Sequence, residues 1–290
     1  MKIIVLGANG LIGNEIFRFL SHNSKWGIYG TLRNAEDGLI FPTSLKENLL
    51  HSPNLLNDNE LTNFLKALKP DVIINAVGIT KHKLESEDIL EIIPINSLFP
   101  HGLAKICDSL SIRLIHISTD CVFSGNKGNY LESDLTDATD IYGKSKALGE
   151  LKTNNALTLR TSTIGYELNS TFGLLNWFLS QKDMCKGYSK AIFSGFPASY
   201  FAFILQRYVI PNENIRGLYN IASEPISKFD LLKNIADIYG LDIRIEKDDS
   251  LEIDRSLNAD LFNKLTGFVP PRWPELIKFM YQNQKEVKNV

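Results

Sequence analysis

Tyr142 and Lys146 are the residues whose types and spacing most directly suggest proton chemistry. Positions four residues apart share one face of an α-helix, so the phenol and the ammonium can point into the same cleft. A free phenol has a pKa of about 10, and a neighbouring cation lowers that pKa by favouring the phenolate. Such a phenol can pass a proton to or from a carbonyl oxygen, although the spacing alone also describes many surface pairs.

The hydroxyl groups of Ser118 and Thr119 follow the apolar stretch 113–117, upstream of this pair. In a parallel sheet, ligands bind at the carboxyl ends of the strands, so these hydroxyls fall where a substrate is expected. A hydroxyl, a phenol and an ammonium beside a nicotinamide would form a reductase site, in which hydride moves between the cofactor and a substrate carbon.

The segment Gly7-Ala-Asn-Gly-Leu-Ile-Gly13 predicts where such a cofactor binds. Gly7 permits a tight turn, Gly10 lets a pyrophosphate approach backbone N–H groups, and Gly13 lets the next helix pack on the strand. Three glycines alone also fit a plain turn, but these follow a short apolar strand and open a helix, which favours a dinucleotide site. The predicted cofactor loop also includes Asn9, Leu11 and Ile12.

Arg33 ends the second predicted strand, where the adenosine ribose of a dinucleotide is expected. An NAD site usually has an acid there, whereas a guanidinium can bind a 2′-phosphate through paired hydrogen bonds. The sequence therefore favours NADPH, with NADH as the other option, and an ordinary exposed arginine is the alternative. The small residues Ala76, Val77 and Gly78 could lie against a ribose or the nicotinamide, or form a plain turn.

The elements that must position these residues are short apolar strands alternating with amphipathic helices. Strands are predicted at residues 1–6, 27–32, 71–75, 113–117 and 156–160, and helices at 12–20, 60–68, 99–110 and 142–150. This order predicts βαβ units, and hence an α/β fold with a Rossmann-type, doubly wound parallel sheet.

The alternation weakens after residue 165. Helical patterns follow at 171–179, 201–209 and 228–239, with one short strand candidate at 242–246. We therefore expect a cofactor-binding Rossmann domain over residues 1–165. A smaller, mostly helical substrate-binding lobe is expected over residues 166–290, interleaved with the first domain.

The composition disfavours several classes of protein. The chain has 290 residues, 44% of them hydrophobic, and a formal net charge of −2, which argues against disorder and against binding nucleic acid or an anionic membrane. Its three cysteines show no ligand spacing, so we predict no metal site and a reducing cytoplasm. No apolar segment reaches the roughly 18 residues that a membrane helix needs.

Together, these motifs resemble those of the extended short-chain dehydrogenases/reductases, and among them the dTDP-4-dehydrorhamnose reductase family. The resemblance rests on the three glycines, residues 69–75, Asn96, and the segments 116–125 and 142–150, in that order. It covers residues 1 to about 165 and is looser beyond them.

The resemblance implies that Thr119, Tyr142 and Lys146 form a catalytic triad. Thr119 would orient the carbonyl oxygen and Tyr142 would protonate the alkoxide after hydride transfer. Lys146 would lower the pKa of the tyrosine and hold the nicotinamide ribose, with Asn96 supporting the lysine through water. Near the adenine, the resemblance points to residues Asn54 and Leu55.

A nucleotide-sugar diphosphate is the substrate class that the resemblance implies. Asp120 and Cys121 would line its sugar pocket, and Cys121 stands where many members of the family have tyrosine, which could loosen the pocket wall. The candidates in the second lobe are Asn176, Trp177, Tyr188, Lys186, Arg255 and Arg272, with Arg160 at the end of the last predicted strand. Trp177 fits an apolar core equally well.

Three functions stay open from the sequence. The first is an NADPH-dependent reductase of the 4-keto group of a nucleotide-linked 6-deoxy sugar, dTDP-linked or a UDP-linked 2-acetamido sugar, in the synthesis of a surface polysaccharide precursor. The second is an NADP-binding regulatory subunit without catalysis. The third is a nucleotide-sugar epimerase or dehydratase, which would retain its nicotinamide. A homodimer is a further implication of the family resemblance.

Overall fold

Two sheets and a short strand pair form the β structure of the residues that the computed structural model describes, which are 1–80, 88–151, 153, 156–168 and 173–288. The strands are β1 (Lys2–Leu6), β2 (Gly27–Leu32), β3 (Leu49–His51), β4 (Val72–Asn75), β5 (Arg113–Thr119), β6 (Ala156–Thr161), β7 (Thr163–Ile164), β8 (Met184–Phe193), β9 (Phe196–Pro197), β10 (Gly217–Asn220), β11 (Ile226–Ser227) and β12 (Arg244–Asp254). The larger sheet is parallel and has the order β10-β6-β5-β4-β1-β2-β3. This is the Rossmann order with β10 added at one edge, which confirms the predicted fold class.

Helices pack against both sheets. They are α1 (Leu11–Asn23), α2 (Thr43–Lys46), α3 (Asp58–Leu68), α4 (Ile89–Ile93), α5 (Phe99–Ser109), α6 (Ile141–Leu148), α7 (Leu174–Leu179), α8 (Ala198–Ile204), α9 (Lys228–Tyr239), α10 (Asp260–Thr266) and α11 (Trp273–Lys288). A single π-helical turn, Pro94–Leu98, joins α4 to α5. Among the described residues, no helix has both the length and the apolar composition needed to span a bilayer.

The alternation of side chains along β1 shows why the sheet is covered on both faces. Ile3 and Val5 belong to the larger apolar cluster, which includes side chains of α1, α8 and α11. Ile4 and Leu6 belong to the smaller cluster, with side chains of α3 and α5. Neighbouring strand residues point to opposite faces, so an unbroken apolar strand needs a helical layer on each side.

The second half of the chain contributes to both sheets. β10 pairs with β6 in the main sheet, and the smaller sheet has the order β11-β8-β12. The sequence predicts only a short strand at 242–246, whereas β8 has 10 residues and β12 has 11. The helix predicted from residue 171 begins at Leu174, and residues 171 and 172 lie outside the described residues.

Candidate active site

The glycine loop between β1 and α1 has the close packing that its sequence predicts. Gly7 has a φ of +81°, a conformation that L side chains rarely adopt, and a Cβ on Gly13 would lie 2.1 Å from the Gly7 carbonyl oxygen. A Cβ on Gly10 would meet only that same oxygen, at 3.5 Å. The protein itself therefore does not require glycine at position 10, which is consistent with a ligand approaching the backbone there. The predicted residues Leu11 and Ile12 form the first turn of α1.

The turn after β4 lies beside this loop. A Cβ on Gly7 would contact Val77 Cγ2 at 3.2 Å, and the Asn75 side chain accepts a hydrogen bond from the Val77 N–H at 3.1 Å. A Cβ on Gly78 would lie 3.4 Å from Asn96 Oδ1. The partly buried residues Ala76–Gly78 therefore join the glycine loop to the Asn96 turn along the carboxyl edge of the sheet.

The segment that follows β2 contains an acid, Asp37, that was not predicted as a site residue. Arg33 follows β2 and is exposed, which fits both a contact with the cofactor and an ordinary surface arginine. Asp37 lies close by and its Oδ2 accepts a hydrogen bond of 2.7 Å from Asn9 Nδ2 of the glycine loop. The expected adenosine ribose position thus has a carboxylate as well as a guanidinium.

Asn54 and Leu55 have local structural contacts. The Asn54 side chain accepts a hydrogen bond from the Leu56 N–H at 3.1 Å, which closes a turn ahead of α3. Leu55 packs against the smaller apolar cluster. The contacts of the described residues do not bring either side chain to the glycine loop, so their predicted position near adenine stays a prediction.

Thr119 and Tyr142 meet at the carboxyl edge of the sheet. Thr119 ends β5 beside the Tyr142 phenol, and its hydroxyl donates to Asp120 Oδ1 at 3.1 Å. The Asp140 side chain caps α6 by accepting from the Gly143 N–H at 2.7 Å. A Cβ on Gly143 would lie 2.2 Å from the Cys121 carbonyl oxygen, so glycine lets the start of α6 contact the loop after β5. The predicted hydroxyl and phenol are therefore brought together.

The protonation of Tyr142 differs from the expectation that Lys146 lowers its pKa. Burial raises the pKa of Tyr142 well above its usual value, because the phenolate would lose its solvation. The neighbouring side chains of Cys121, Asp120 and Asp140 raise the pKa further, and the nearby Thr119 hydroxyl lowers it. Tyr142 is therefore a protonated phenol at neutral pH, which is the form that donates a proton.

Lys146 is buried, with 5% of its surface exposed. Its Nζ donates a hydrogen bond of 2.8 Å to the Ile117 carbonyl of β5. Burial lowers the pKa of Lys146 to about 8, and the neighbouring Glu150 carboxylate opposes this shift. The ammonium is therefore mostly charged at neutral pH and loses its charge in mildly alkaline solution.

Asn96 connects α6 to the segment after β4. Its Nδ2 donates to the Ile79 carbonyl at 2.9 Å and to Ser145 Oγ at 3.0 Å, and its Oδ1 accepts from the Ile79 N–H at 2.8 Å. The side chain thus contacts the residue next to Lys146 rather than the ammonium itself. Its predicted support of the lysine through water stays a prediction.

The loop after β5 also receives an arginine from the second lobe. Arg255 follows β12, and its Nε donates to the Phe123 carbonyl at 2.8 Å, with Nη1 3.9 Å from Cys121 Sγ. Burial raises the pKa of the Asp120 carboxyl, and the positive charge of Arg255 opposes that shift. The predicted residues Asp120, Cys121 and Arg255 therefore surround the side of the site next to Thr119.

The other predicted substrate residues lie elsewhere. Asn176 Nδ2 donates to the Glu167 carbonyl at 3.0 Å, and Trp177 packs against the larger apolar cluster. Tyr188 lies on β8 and is 39% exposed. The substrate role of these three side chains stays a prediction.

The contacts of Arg160 contradict its prediction as a candidate for binding the substrate diphosphate. Its side chain is 2% exposed, and its Nε and Nη2 each donate to one oxygen of Glu150 at 2.7 Å. A guanidinium held in this way by a carboxylate is not available to a substrate diphosphate. Lys186 and Arg272 are exposed, and the Lys186 ammonium lies 3.9 Å from Asp248 Oδ2.

A Rossmann sheet with a glycine loop, and a Thr-Tyr-Lys group beside it, define the class of extended short-chain dehydrogenases/reductases. The family model of the RmlD substrate binding domain matches residues 1–175, and the chain belongs to this family. The predicted family resemblance is thereby confirmed.

Individual relatives agree with this assignment. The chain is 25% identical over 247 residues to the dTDP-4-dehydrorhamnose reductase of Aggregatibacter actinomycetemcomitans, covering 81% of this chain and 78% of that protein. It is 27% identical over 150 residues to the methionine adenosyltransferase 2 subunit beta of Xenopus laevis, covering 51% and 41%. Several curated relatives match over about half of their own length.

Solved structures share the fold. The dTDP-4-dehydrorhamnose reductase of Bacillus anthracis, in complex with NADP, superposes with a TM-score of 0.78 at 19% identity, covering 97% of this chain and 99% of that chain. At this level of identity, the comparison supports the architecture of the molecule.

Proposed function

We propose that the protein is an NADPH-dependent reductase of the 4-keto group of a nucleotide-linked 6-deoxy sugar, used in the synthesis of a surface polysaccharide precursor. The observation that carries the proposal is the position of a protonated Tyr142 beside the Thr119 hydroxyl, with Lys146 on the same helix. The dTDP-4-dehydrorhamnose reductases among the relatives favour this reaction over others of the same fold.

The residues present fit a dinucleotide. Gly10 leaves space above the N-terminus of α1, whose N–H groups and dipole favour a pyrophosphate. Arg33 and Asn9 lie where the adenosine ribose is expected, and Lys146 would hold the hydroxyls of the nicotinamide ribose. When bound, NADPH supplies the hydride.

The side chains of this protein supply the proton and the orientation. Thr119 would hydrogen-bond the substrate carbonyl oxygen, and Tyr142 would donate its phenolic proton to the alkoxide formed at that oxygen. The buried Lys146 ammonium would stabilise the phenolate that is left behind. Arg255 and Asp120 would contact the sugar from the second lobe and the loop after β5.

The test follows NADPH absorbance with dTDP-linked and UDP-linked 4-keto-6-deoxy sugars. We expect stoichiometric loss of NADPH with at least one of them, which an epimerase or dehydratase would not show. Tyr142→Phe should lower kcat by roughly 100-fold or more, since one donor to a developing oxyanion is commonly worth about 3 kcal/mol. The dissociation constant of NADPH should change by less than about threefold.

Tyr29→Phe is the matched control, because Tyr29 lies in β2 and its ring contacts the Lys2 ammonium rather than the site. Full turnover by Tyr142→Phe, or no NADPH loss with any keto sugar, would contradict the proposal.

A cofactor-binding subunit is the second candidate, favoured by the match to a methionine adenosyltransferase subunit. In that case the protein would bind NADPH without oxidising it, and Tyr142→Phe would leave its function unchanged. Absence of turnover together with tight NADPH binding would select this candidate.

A further inference from the structure

Glu150 is a buried acid just behind the proposed triad. It lies two residues after the end of α6, with 1% of its side chain exposed. Both of its oxygens accept from Arg160, and Oε1 also accepts from Ser118 Oγ at 2.8 Å. A buried carboxylate with three charge-assisted hydrogen bonds has a fixed position.

These contacts join the elements that carry the reacting groups. Ser118 precedes Thr119 in β5, and Arg160 is its register partner in β6. The Arg160 guanidinium also lies 4.9 Å from the centroid of the Phe123 ring, in the loop after β5. Glu150 therefore connects the segment that follows α6 to both strands under the site.

The charges around Lys146 give Glu150 a second effect. The groups that interact with the ammonium are the Ile117 carbonyl and His116 of β5, and Glu150. Burial lowers the pKa of His116 well below its usual value, so this imidazole is neutral, and Tyr142 is protonated. Among these groups, Glu150 supplies the negative charge that favours the ammonium.

We propose that Glu150 is a positioning residue for the proposed reduction, which holds β5 against the end of α6 through Ser118 and Arg160 and stabilises the Lys146 ammonium with its carboxylate. The inference rests on the proposed function. It predicts that removing the charge of Glu150 changes the pH range of activity, and that shortening its side chain changes the rate within that range.

The test is the pH profile of kcat for Glu150→Gln, which keeps the size of the side chain and removes its charge. We expect the alkaline limb to move to lower pH by roughly one unit, because loss of a nearby opposite charge disfavours the ammonium. Glu150→Asp keeps the charge on a side chain that is one methylene shorter. The alkaline limb of its profile should therefore stay in place while kcat falls. Glu132→Gln is the matched control, since it makes the same change at a carboxylate that accepts from the Asn220 N–H at 3.0 Å rather than from Arg160.

Breaking a buried ion pair can unfold a protein, because one charge is left without a partner. If Glu150→Gln does not fold, the kcat of the double variant Glu150→Gln, Arg160→Gln is measured, because this variant lacks the ion pair without leaving an unpaired charge. An alkaline limb and kcat of Glu150→Gln equal to those of the unchanged protein, or an unchanged kcat in the double variant, would overturn the inference.

Failure of the proposed function is separable from failure of this inference. If the unchanged protein turns over no keto sugar, the pH dependence of NADPH binding, followed by cofactor fluorescence, replaces kcat. Lys146 would hold the nicotinamide ribose, so affinity should fall at lower pH in Glu150→Gln than in the unchanged protein. Identical binding profiles would overturn the role of Glu150.

Discussion

At the scale of single side chains, burial determines which groups are charged in the site. Tyr142 stays protonated because its phenolate would be desolvated, and Lys146 is poised to lose its proton for the same reason. A reductase needs the first property, because the phenol must arrive with a proton. The second property makes the positive charge of Lys146 sensitive to pH.

The reduction rate should therefore fall in alkaline solution. The pKa of Lys146 is about 8, so kcat is expected to be level below pH 7 and to decrease as the pH rises through 8. The measurement is kcat between pH 6 and pH 10 at saturating NADPH and substrate. A level profile up to pH 10 would show that the charge of Lys146 is not needed.

Asp37 should reduce the preference for NADPH that Arg33 favours. Its carboxylate bonds to Asn9 at the expected ribose site, where a 2′-phosphate would meet a like charge. Two charges at contact distance in water interact by about 1 kcal/mol, so Asp37→Asn should tighten NADPH binding roughly fivefold relative to NADH. Glu36→Gln, at an exposed neighbouring position, should leave the ratio unchanged. If the ratio of NADPH to NADH affinity is unchanged in Asp37→Asn, the 2′-phosphate does not lie beside this carboxylate.

At the scale of helices and strands, the sequence predicts those elements whose pattern is strong. The central strands are apolar and β-branched, and β2 begins and ends as predicted at residues 27 and 32. β8 was missed because its buried positions include Cys185 and Gly187, small residues that conceal the alternation of a strand.

The residues of the candidate site also differ in how far local sequence predicts them. Tyr142 and Lys146 were predictable because one helix sets their spacing. The pairing of Arg160 with Glu150 depends on contact between β6 and the segment after α6, which local sequence does not encode. The Asp37 contact with Asn9 likewise depends on how the residues after β2 fold back toward the glycine loop.

Helix α1 contains an acid that should make stability depend on pH. Burial raises the pKa of Glu15 to about 7, although Arg18 opposes the shift. The folded state therefore binds a proton more readily than the unfolded state, and stability is lost as the pH rises from about 4.5 to 7.

Glu15→Gln removes this cost and should stabilise the fold by roughly 2 kcal/mol at pH 8, with little effect at pH 4.5. Urea denaturation at the two pH values measures the difference, with the exposed Glu47→Gln as control. Equal effects at both pH values would contradict the raised pKa.

At the scale of the whole molecule, strands from residues 166–290 pair with strands from residues 1–165. β10 extends the main sheet beside β6, and β7 pairs with β9. The Arg113 guanidinium at the start of β5 donates to the carbonyls of Val209, Ile210 and Asn212. Each half thus completes the core and the hydrogen bonds of the other.

We therefore expect one unfolding transition for the chain and no stable fold for residues 1–165 alone. Tryptophan fluorescence reports on both halves, through Trp26, Trp177 and Trp273, and circular dichroism reports on the helices. Coincident urea transitions by the two methods would support this expectation. A folded fragment, or two separated transitions, would show that the halves are independent.

The outermost strands of the main sheet, β3 and β10, have 3 and 4 residues. Unpaired backbone groups along a sheet margin are templates on which another chain can add a strand. Margins this short offer few such groups, so the main sheet gives another chain little to pair with, even though its interior strands are among the most apolar segments of the chain.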